Sequence, residues 1–220
     1  MGSTTPADSA GRRVDGPGWP HHEREIDIAG LKALAHPLRV QLFDALSIYG
    51  SDTASGLAER LGESSGATSY HLRQLEKHGF VREVEGKGTS RERWWERTPG
   101  SVNIGSDEAI ATPAGRSAAT MIFRQLRYND DRLLTDFVER GVDELPREWV
   151  DASVITTMNT RLTPEQLVEF VREVTQLADK YVVANKQQHV PNSRPIHVGF
   201  QAFPVLDGDV VPADRTPEEP

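Results

Sequence analysis

The stretch 64–81 constrains the fold of this chain more than any other. It opens with small polar residues, and Ser64 carries the hydroxyl group with which helix N-caps accept a bond from a free amide of the first turn. A buried stripe is predicted by three residues that recur at helical spacing, Thr68, Leu72 and Leu75. Gly79 is suited to end the helix, and β-forming residues follow at once. The stretch therefore predicts a short amphipathic helix that leads directly into a strand.

The outer face of this predicted helix has no acidic residue over its first turns. At about 100° per residue, it carries Gly66, Ser69, Tyr70 and Arg73. Small residues let the backbone and the positive end of the helix dipole come close to phosphate groups. Taken alone, however, the pattern is equally typical of an ordinary amphipathic surface helix.

The residues upstream give the helix a context. Residues 53–62 predict a short helix that is capped near Asp52 or Thr53 and ends at Gly62, two residues before Ser64. Two short helices joined by a tight glycine turn are typical of a helix-turn-helix. Further upstream, Pro37 begins another predicted helix, and a first helix is predicted at about 28–35.

The residues downstream predict a β-hairpin, or wing. Residues 80–85 alternate and are rich in β-formers, residues 86–90 form a glycine-containing turn, and residues 91–97 form the second strand. Lys87 and Arg91 flank the tip, and Arg93 lies on the same strand face as Arg91. A basic tip can follow a phosphate backbone or enter a minor groove, although a solvated loop would carry the same residues.

The order and spacing of these parts resemble the winged helix-turn-helix of ArsR/SmtB-type bacterial repressors. The resemblance covers about 27–98 and rests on the run from Leu34 to Arg39, the run from Ser69 to Val81, and the wing. It implies that the following residues lie at or near the major groove: Ser65, Thr68, Ser69, Tyr70 and Arg73. It implies that Ser64 fixes the register on phosphate and that Lys87, Arg91 and Arg93 hold the flanking backbone or minor groove. His71 lies beside the buried stripe, so it is either a groove residue or a packed core histidine.

The resemblance does not extend to metal sensing through thiolates, because the chain has no cysteine. Its seven histidines include no metal-ligand spacing, and no nucleophile elbow, phosphate-binding loop or dinucleotide fingerprint occurs. We therefore expect no catalytic residues, no cofactor and no metal, and we do not expect an enzyme.

The net charge of −8 is distributed unevenly along the chain. Residues 26–98 contain 10 basic and 10 acidic residues, whereas residues 99–220 contain 12 basic and 19 acidic residues. A neutral domain with a local basic face should bind random DNA weakly and depend on specific contacts and dimerisation. The excess of acidic residues therefore lies outside the predicted DNA-binding domain.

The chain is long enough for a second module. We expect a disordered arm at 1–25, the winged domain at 26–98, a dimerisation and effector-binding module at 99–206, and an acidic disordered tail at 207–220. No apolar run is long enough to span a membrane and no signal peptide is evident, so the expected location is a bacterial cytoplasm, at the nucleoid when bound to DNA.

The second module is predicted to be mostly helical with a small strand-helix-strand unit. A helix is expected at about 113–142, divided in two near Asn129, and a capping box at Thr163 and Gln166 begins another. Alternating residues predict strands at 150–157 and 196–202. Two strands alone are marginal, so this sheet either pairs across a dimer or packs on the preceding helices. The fold class is therefore α+β.

These features predict a sequence-specific DNA-binding transcriptional regulator, a dimeric repressor that reads a palindromic operator in double-stranded DNA. The homodimer and an unidentified small-molecule effector are the other expected partners, and no membrane is involved. The alternative is a winged helix used for protein binding, with the acidic second module as its main surface. A protein interface would expose more apolar side chains on the outer face of the predicted reading helix.

Overall fold

The computed structural model of the protein describes residues 23–89, 92–104, 110–185 and 191–209. Its helices are α1 (Ile28–Leu34), α2 (Pro37–Tyr49), α3 (Ala54–Leu61), α4 (Ser65–Lys77), α5 (Pro113–Glu144), α6 (Arg147–Asp151) and α7 (Pro164–Asn185). Its strands are β1 (Glu23–Glu25), β2 (Asp52–Thr53), β3 (Val81–Thr89), β4 (Glu92–Arg97) and β5 (Ser101–Asn103).

The helix starts follow from side chains that satisfy free backbone amides. Thr53 accepts a bond from the amide of Gly56 at 3.0 Å, and Ser64 accepts one from the amide of Ala67 at 3.2 Å. At the start of α7, the Gln166 side-chain oxygen accepts a bond from the amide of Thr163 at 2.9 Å, and the Thr163 hydroxyl accepts one from the amide of Gln166 at 3.2 Å. This reciprocal pair confirms the capping box.

Two small sheets flank the helices. One has the order β2-β4-β3, with antiparallel pairing throughout, and its β3–β4 hairpin is the wing. Gly88 lies in the hairpin at a φ of 99°, against the carbonyl oxygen of Glu92, where no other residue would fit without strain. The other sheet pairs β1 with β5 in parallel, so the end of the predicted disordered arm is a strand. Residues 1–22 and 210–220 lie outside the described residues.

One apolar core joins the winged domain to the start of α5. Leu31, Leu42 and Leu72 are fully buried in it, and Phe80 and Trp95 close it from the wing side. The same core contains three residues from the first turns of α5, Ala118, Ala119 and Ile122. The first third of α5 therefore packs as part of the winged domain, and the core continues past the boundary expected at residue 98.

The region after this core differs from the prediction in two ways. Helix α5 is continuous across Asn129, where a division was expected, because Asn129 is buried and bonds a distant side chain instead of capping a new helix. The predicted strands at 150–157 and 196–202 are not formed in the described residues: Val150 and Asp151 lie in α6, Ala152 is in a turn, and the rest of both stretches forms neither helix nor strand.

The architecture is nevertheless the predicted one, an α+β chain with an N-terminal winged helix-turn-helix. The small antiparallel sheet and the helices α1 to α4 form the winged domain, and the remainder is mostly helical. The strand-helix-strand detail is wrong, since α7 is present and its flanking strands are not formed in the described residues.

Candidate nucleic-acid interface

Helix α4 is held by its buried side against α2 and α3. Leu72 and Leu75 are fully buried, and Leu57 of α3 is 1% exposed beneath them. Gly62 ends α3 in the left-handed conformation at a φ of 69°, and its amide bonds back to the last turn of that helix. The turn and the shared core therefore fix the direction in which α4 presents its other face.

The outward face of α4 is polar, small at its beginning and free of acidic residues in its first turn. Ser64 and Ser65 are exposed, Ser69 is half-buried, and the Tyr70 side chain is 55% exposed. Arg73 is exposed as well, and its Nε donates to the carbonyl oxygen of Ser69 at 3.1 Å. These five residues form one surface, here called the reading face.

Thr68 is not part of that surface. It is fully buried, and its hydroxyl oxygen has no hydrogen-bond partner among the described residues. Its expected role at the major groove is therefore wrong, because helical spacing places it with Leu72 and Leu75 beneath the helix. Its small polar side chain suggested the groove, whereas its position in the buried stripe indicated the core.

His71 belongs to a packed cluster at the flank of α4. Its ring lies 4.4 Å from that of His36 and 5.1 Å from that of Tyr70, measured between ring centroids. Desolvation lowers the pKa of both histidines, and the cation of Arg39 lowers the pKa of both further. The Nδ1 atoms of both rings are buried without a partner. This position corresponds to the packed alternative for His71.

Arg39 is the residue near this surface that sequence reasoning did not single out. Its Nε is buried without a partner, burial lowers its pKa, and the nearby Tyr70 raises the pKa slightly. The i, i+3 spacing of His36 and Arg39 on α2 was the signal that both would reach one side of the helix. Arg39 therefore lies near Tyr70 of the reading face.

The basic residues of the wing are engaged within the wing. The Lys87 ammonium group donates to the hydroxyl of Ser51 at 2.8 Å and lies 3.8 Å from the ring centroid of Trp94. Arg93 forms an exposed ion pair with Glu83 at 3.4 Å. Arg91 lies outside the described residues, so its place at the tip stays a prediction.

Metal sites and membrane-spanning helices are the two other features to consider in the described residues. Among the described residues, no group of three or more histidine, cysteine, aspartate or glutamate side chains could hold a metal ion. In the same part of the chain, no helix combines the length and the apolar character needed to cross a bilayer.

Comparison with known proteins identifies the part of the chain that contains α4. Residues 34–84 match a family model described as a helix-turn-helix domain, and this range runs from the end of α1 into β3. The chain therefore contains a helix-turn-helix domain at the place where the geometry puts one. No curated protein matches the chain.

Several solved structures are similar to parts of the chain. One, a possible transcriptional regulator for arsenical resistance, is 26% identical over 49% of this chain and 95% of its own, with a TM-score of 0.28. A transcriptional regulator from Thermotoga maritima is 10% identical over 71% and 88%, and the heme sensor protein PefR from Streptococcus agalactiae is 16% identical over 73% and 83%. Both have TM-scores of 0.28, so we transfer no ligand and no assembly from these structures.

Proposed function

We propose that the chain is a transcriptional regulator that binds a palindromic operator as a homodimer and represses transcription there. The observation that carries the proposal is the reading face, a helix surface without acidic residues in its first turn that stands on a buried apolar core. A helix of this kind can lie in a major groove, where its N-terminal residues meet base edges.

The reading face suits the two tasks of a DNA-binding helix. Ser64 and the first free amides of α4 suit phosphate contacts, which fix register. Ser69, Tyr70 and Arg73 extend farther along the helix and suit contacts with base edges. The guanidinium of Arg73 bonds only a backbone carbonyl of its own helix in the free protein, so exchange for a guanine edge requires no broken ion pair.

The wing suits contacts with the flanking backbone. Lys87 is exposed although its ammonium group bonds Ser51, and Arg93 is exposed beside Glu83. Both contacts are near the surface and weak in water, so phosphate groups can compete for either cation. The expected role of Arg91 at the tip is part of the same proposal.

Selection of bound sequences from a random DNA pool tests the proposal directly. A palindromic motif with half-sites about 34 Å apart, or a multiple of that distance, is the expected result. Failure to enrich any motif under low-salt conditions would overturn the proposal. An effector for the C-terminal region stays a prediction from the sequence.

Variants of the reading face then test its role residue by residue. We expect R73A together with S69A to lose roughly 1–3 kcal/mol of discrimination per lost base contact. The variant R172A on α7 is the matched control, because it removes one exposed arginine that pairs with Glu169. Equal discrimination by all three proteins would remove α4 from the reading role.

The role of the wing is tested by the salt dependence of DNA binding. The variant R91A should weaken binding to all sequences alike and reduce the salt slope by about one unit, since one phosphate contact is lost. An unchanged slope would show that the tip does not touch the backbone.

A further inference from the structure

The region that follows the shared core leaves many apolar side chains in water. Val142 on α5 is 73% exposed, Val154 after α6 is 79% exposed, and Val198 near the C-terminus is 78% exposed. The C-terminal apolar face, as we define it, consists of these three together with Val138, Ile155, Met158, Ile196 and Phe203. A soluble monomer rarely leaves so many large apolar residues uncovered in one region.

Two segments that form neither helix nor strand carry most of this face, residues 153–163 and residues 196–205. The second runs alongside α5, because Gln201 bonds Arg127 at 3.0 Å and His197 approaches Asp130 at 3.3 Å. On the other side Phe200 packs against Phe170 of α7, with ring centroids 5.9 Å apart. The segment is thus anchored on α5 and α7, while Ile196, Val198 and Phe203 remain largely exposed.

Neither segment has a strand partner within the described residues. The backbone bonds near them, from Ser153 to Val150 and from Gly208 to Val205, are local turns. A segment whose backbone has no ladder partner can pair with a second chain, and exposed apolar side chains along it favour that pairing.

We infer that a second copy of this chain covers the C-terminal apolar face, with these two segments of the two copies paired across a two-fold axis. This rests on the proposed function, because a palindrome reader needs a homodimer. A two-fold contact is self-complementary, so an antiparallel segment can pair with its own copy.

Charge favours a second copy as the occupant. The chain has a net charge of −8, so two copies repel each other wherever acidic surfaces would meet. The two segments contain no acidic residue, one arginine and one histidine. Arg161 bonds the carbonyl oxygen of Asp209 at 3.0 Å, and His197 is held by Asp130. Along these two segments, two copies therefore meet without like-charge repulsion.

The size of the face agrees with a dimer interface. Burial of one large apolar side chain removes roughly 60–120 Å² from water. Because these side chains are 58–79% exposed, the eight residues offer roughly 350–700 Å² per copy, a large part of the roughly 800 Å² that each partner contributes to a stable interface.

Sedimentation of the full chain at micromolar concentration, without DNA, tests the inference. We expect a dimer for the native chain, and at least a tenfold weaker dimer for V198D and for V154D. The variant Y49D adds the same charge to an exposed apolar position on α2 and should remain dimeric. A monomeric native chain, or V198D and V154D that dimerise as tightly as Y49D, would overturn the inference.

Cysteine cross-linking gives a second readout that does not depend on disrupting the face. Because the chain has no cysteine, any disulfide of a single-cysteine variant joins two copies. The pair must approach to within about 7 Å between Cα atoms. We expect a covalent dimer after mild oxidation for at least one of I196C, V198C and F203C, and none for S47C on α2. No cross-link along the segment would count against pairing across the axis.

The outcomes also separate this inference from the proposed function. If V198D and V154D stay dimeric while the native chain enriches a palindrome, the inference fails and the DNA-binding role stands. If the variants dissociate while no DNA motif is enriched, the interface stands and the DNA-binding role fails.

Discussion

The winged domain and the C-terminal region use apolar residues in opposite ways. In the winged domain, helices from four separate stretches of sequence and the wing bury Leu31, Leu42, Leu72 and Phe80 almost completely. In the C-terminal region, residues of the same kinds are mostly exposed, as Leu177 and Val198 are. A hydrophobic pattern therefore indicates that a surface will be covered, and the partner that covers it has to be identified separately.

Two leucine substitutions sharpen this comparison most. We expect L72A to lose about 2–5 kcal/mol of unfolding free energy, because a cavity remains in a fully packed site. The same change at Leu177, which is 55% exposed, should cost less than about 1 kcal/mol in dilute solution. Urea unfolding measures both. Equal losses would mean that the C-terminal region has its own packed core.

The next effect concerns the contact that joins the two regions. Asn129 of α5 donates to Asp44 of α2 at 3.0 Å and accepts from Gln125 at 3.0 Å. Burial raises the pKa of Asp44, and the bond from Asn129 partly opposes this. We expect N129A to cost about 1–3 kcal/mol, because the buried carboxylate loses its partner. The variant Q125A should cost less, since Asp44 keeps its bond, and a larger loss for Q125A would contradict this assignment.

Thr68 and Ser69 separate the buried side of α4 from its reading face. We expect T68V to stabilise the fold by about 1 kcal/mol, because it removes a buried hydroxyl without a partner, and to leave DNA discrimination unchanged. The variant S69A should reduce discrimination with little effect on unfolding. Loss of discrimination in T68V would place Thr68 at the groove after all.

The smallest expected effect is a pH dependence from the histidine cluster. Desolvation and then neighbouring cations hold the pKa of His71 below its ordinary value of 6.5. As the pH falls below 6.5, the unfolded chain therefore binds more protons than the folded chain, and stability decreases. Between pH 7.5 and pH 5.5 the native chain should lose more melting temperature than H71N, which cannot gain this charge. A larger loss for H71N would reverse the sign.

The parts of the fold that the sequence predicts correctly depend on short-range chemistry. The caps at Thr53, Ser64 and Thr163 and the helix end at Gly62 involve residues within a few positions of each other. Such contacts depend only on residues that are close in sequence, so the sequence alone can predict them. The winged domain, which is built from these units, was predicted for the same reason.

The incorrect predictions depend on distant partners. Asn129 resembles a helix cap in sequence, but it bonds Asp44, which is 85 residues away. The stretches at 150–157 and 196–202 have the alternation of strands, but a strand also requires a neighbouring edge, and the described residues of one chain supply none. At the candidate site, the error has another source: the family resemblance implied the groove for Thr68, although helical spacing in the sequence already placed it in the buried stripe.

The continuity of α5 across Asn129 has a mechanical consequence. Its 32 residues form one rod about 48 Å long, and the part beyond Asn129 extends about 22 Å. A helix of this length acts as a lever between its N-terminal part, which packs in the core of the winged domain, and its C-terminal end. If the C-terminal end is fixed, a tilt of about 9° displaces the end of this arm at Asn129 by roughly 3.4 Å, the spacing of one base pair along DNA.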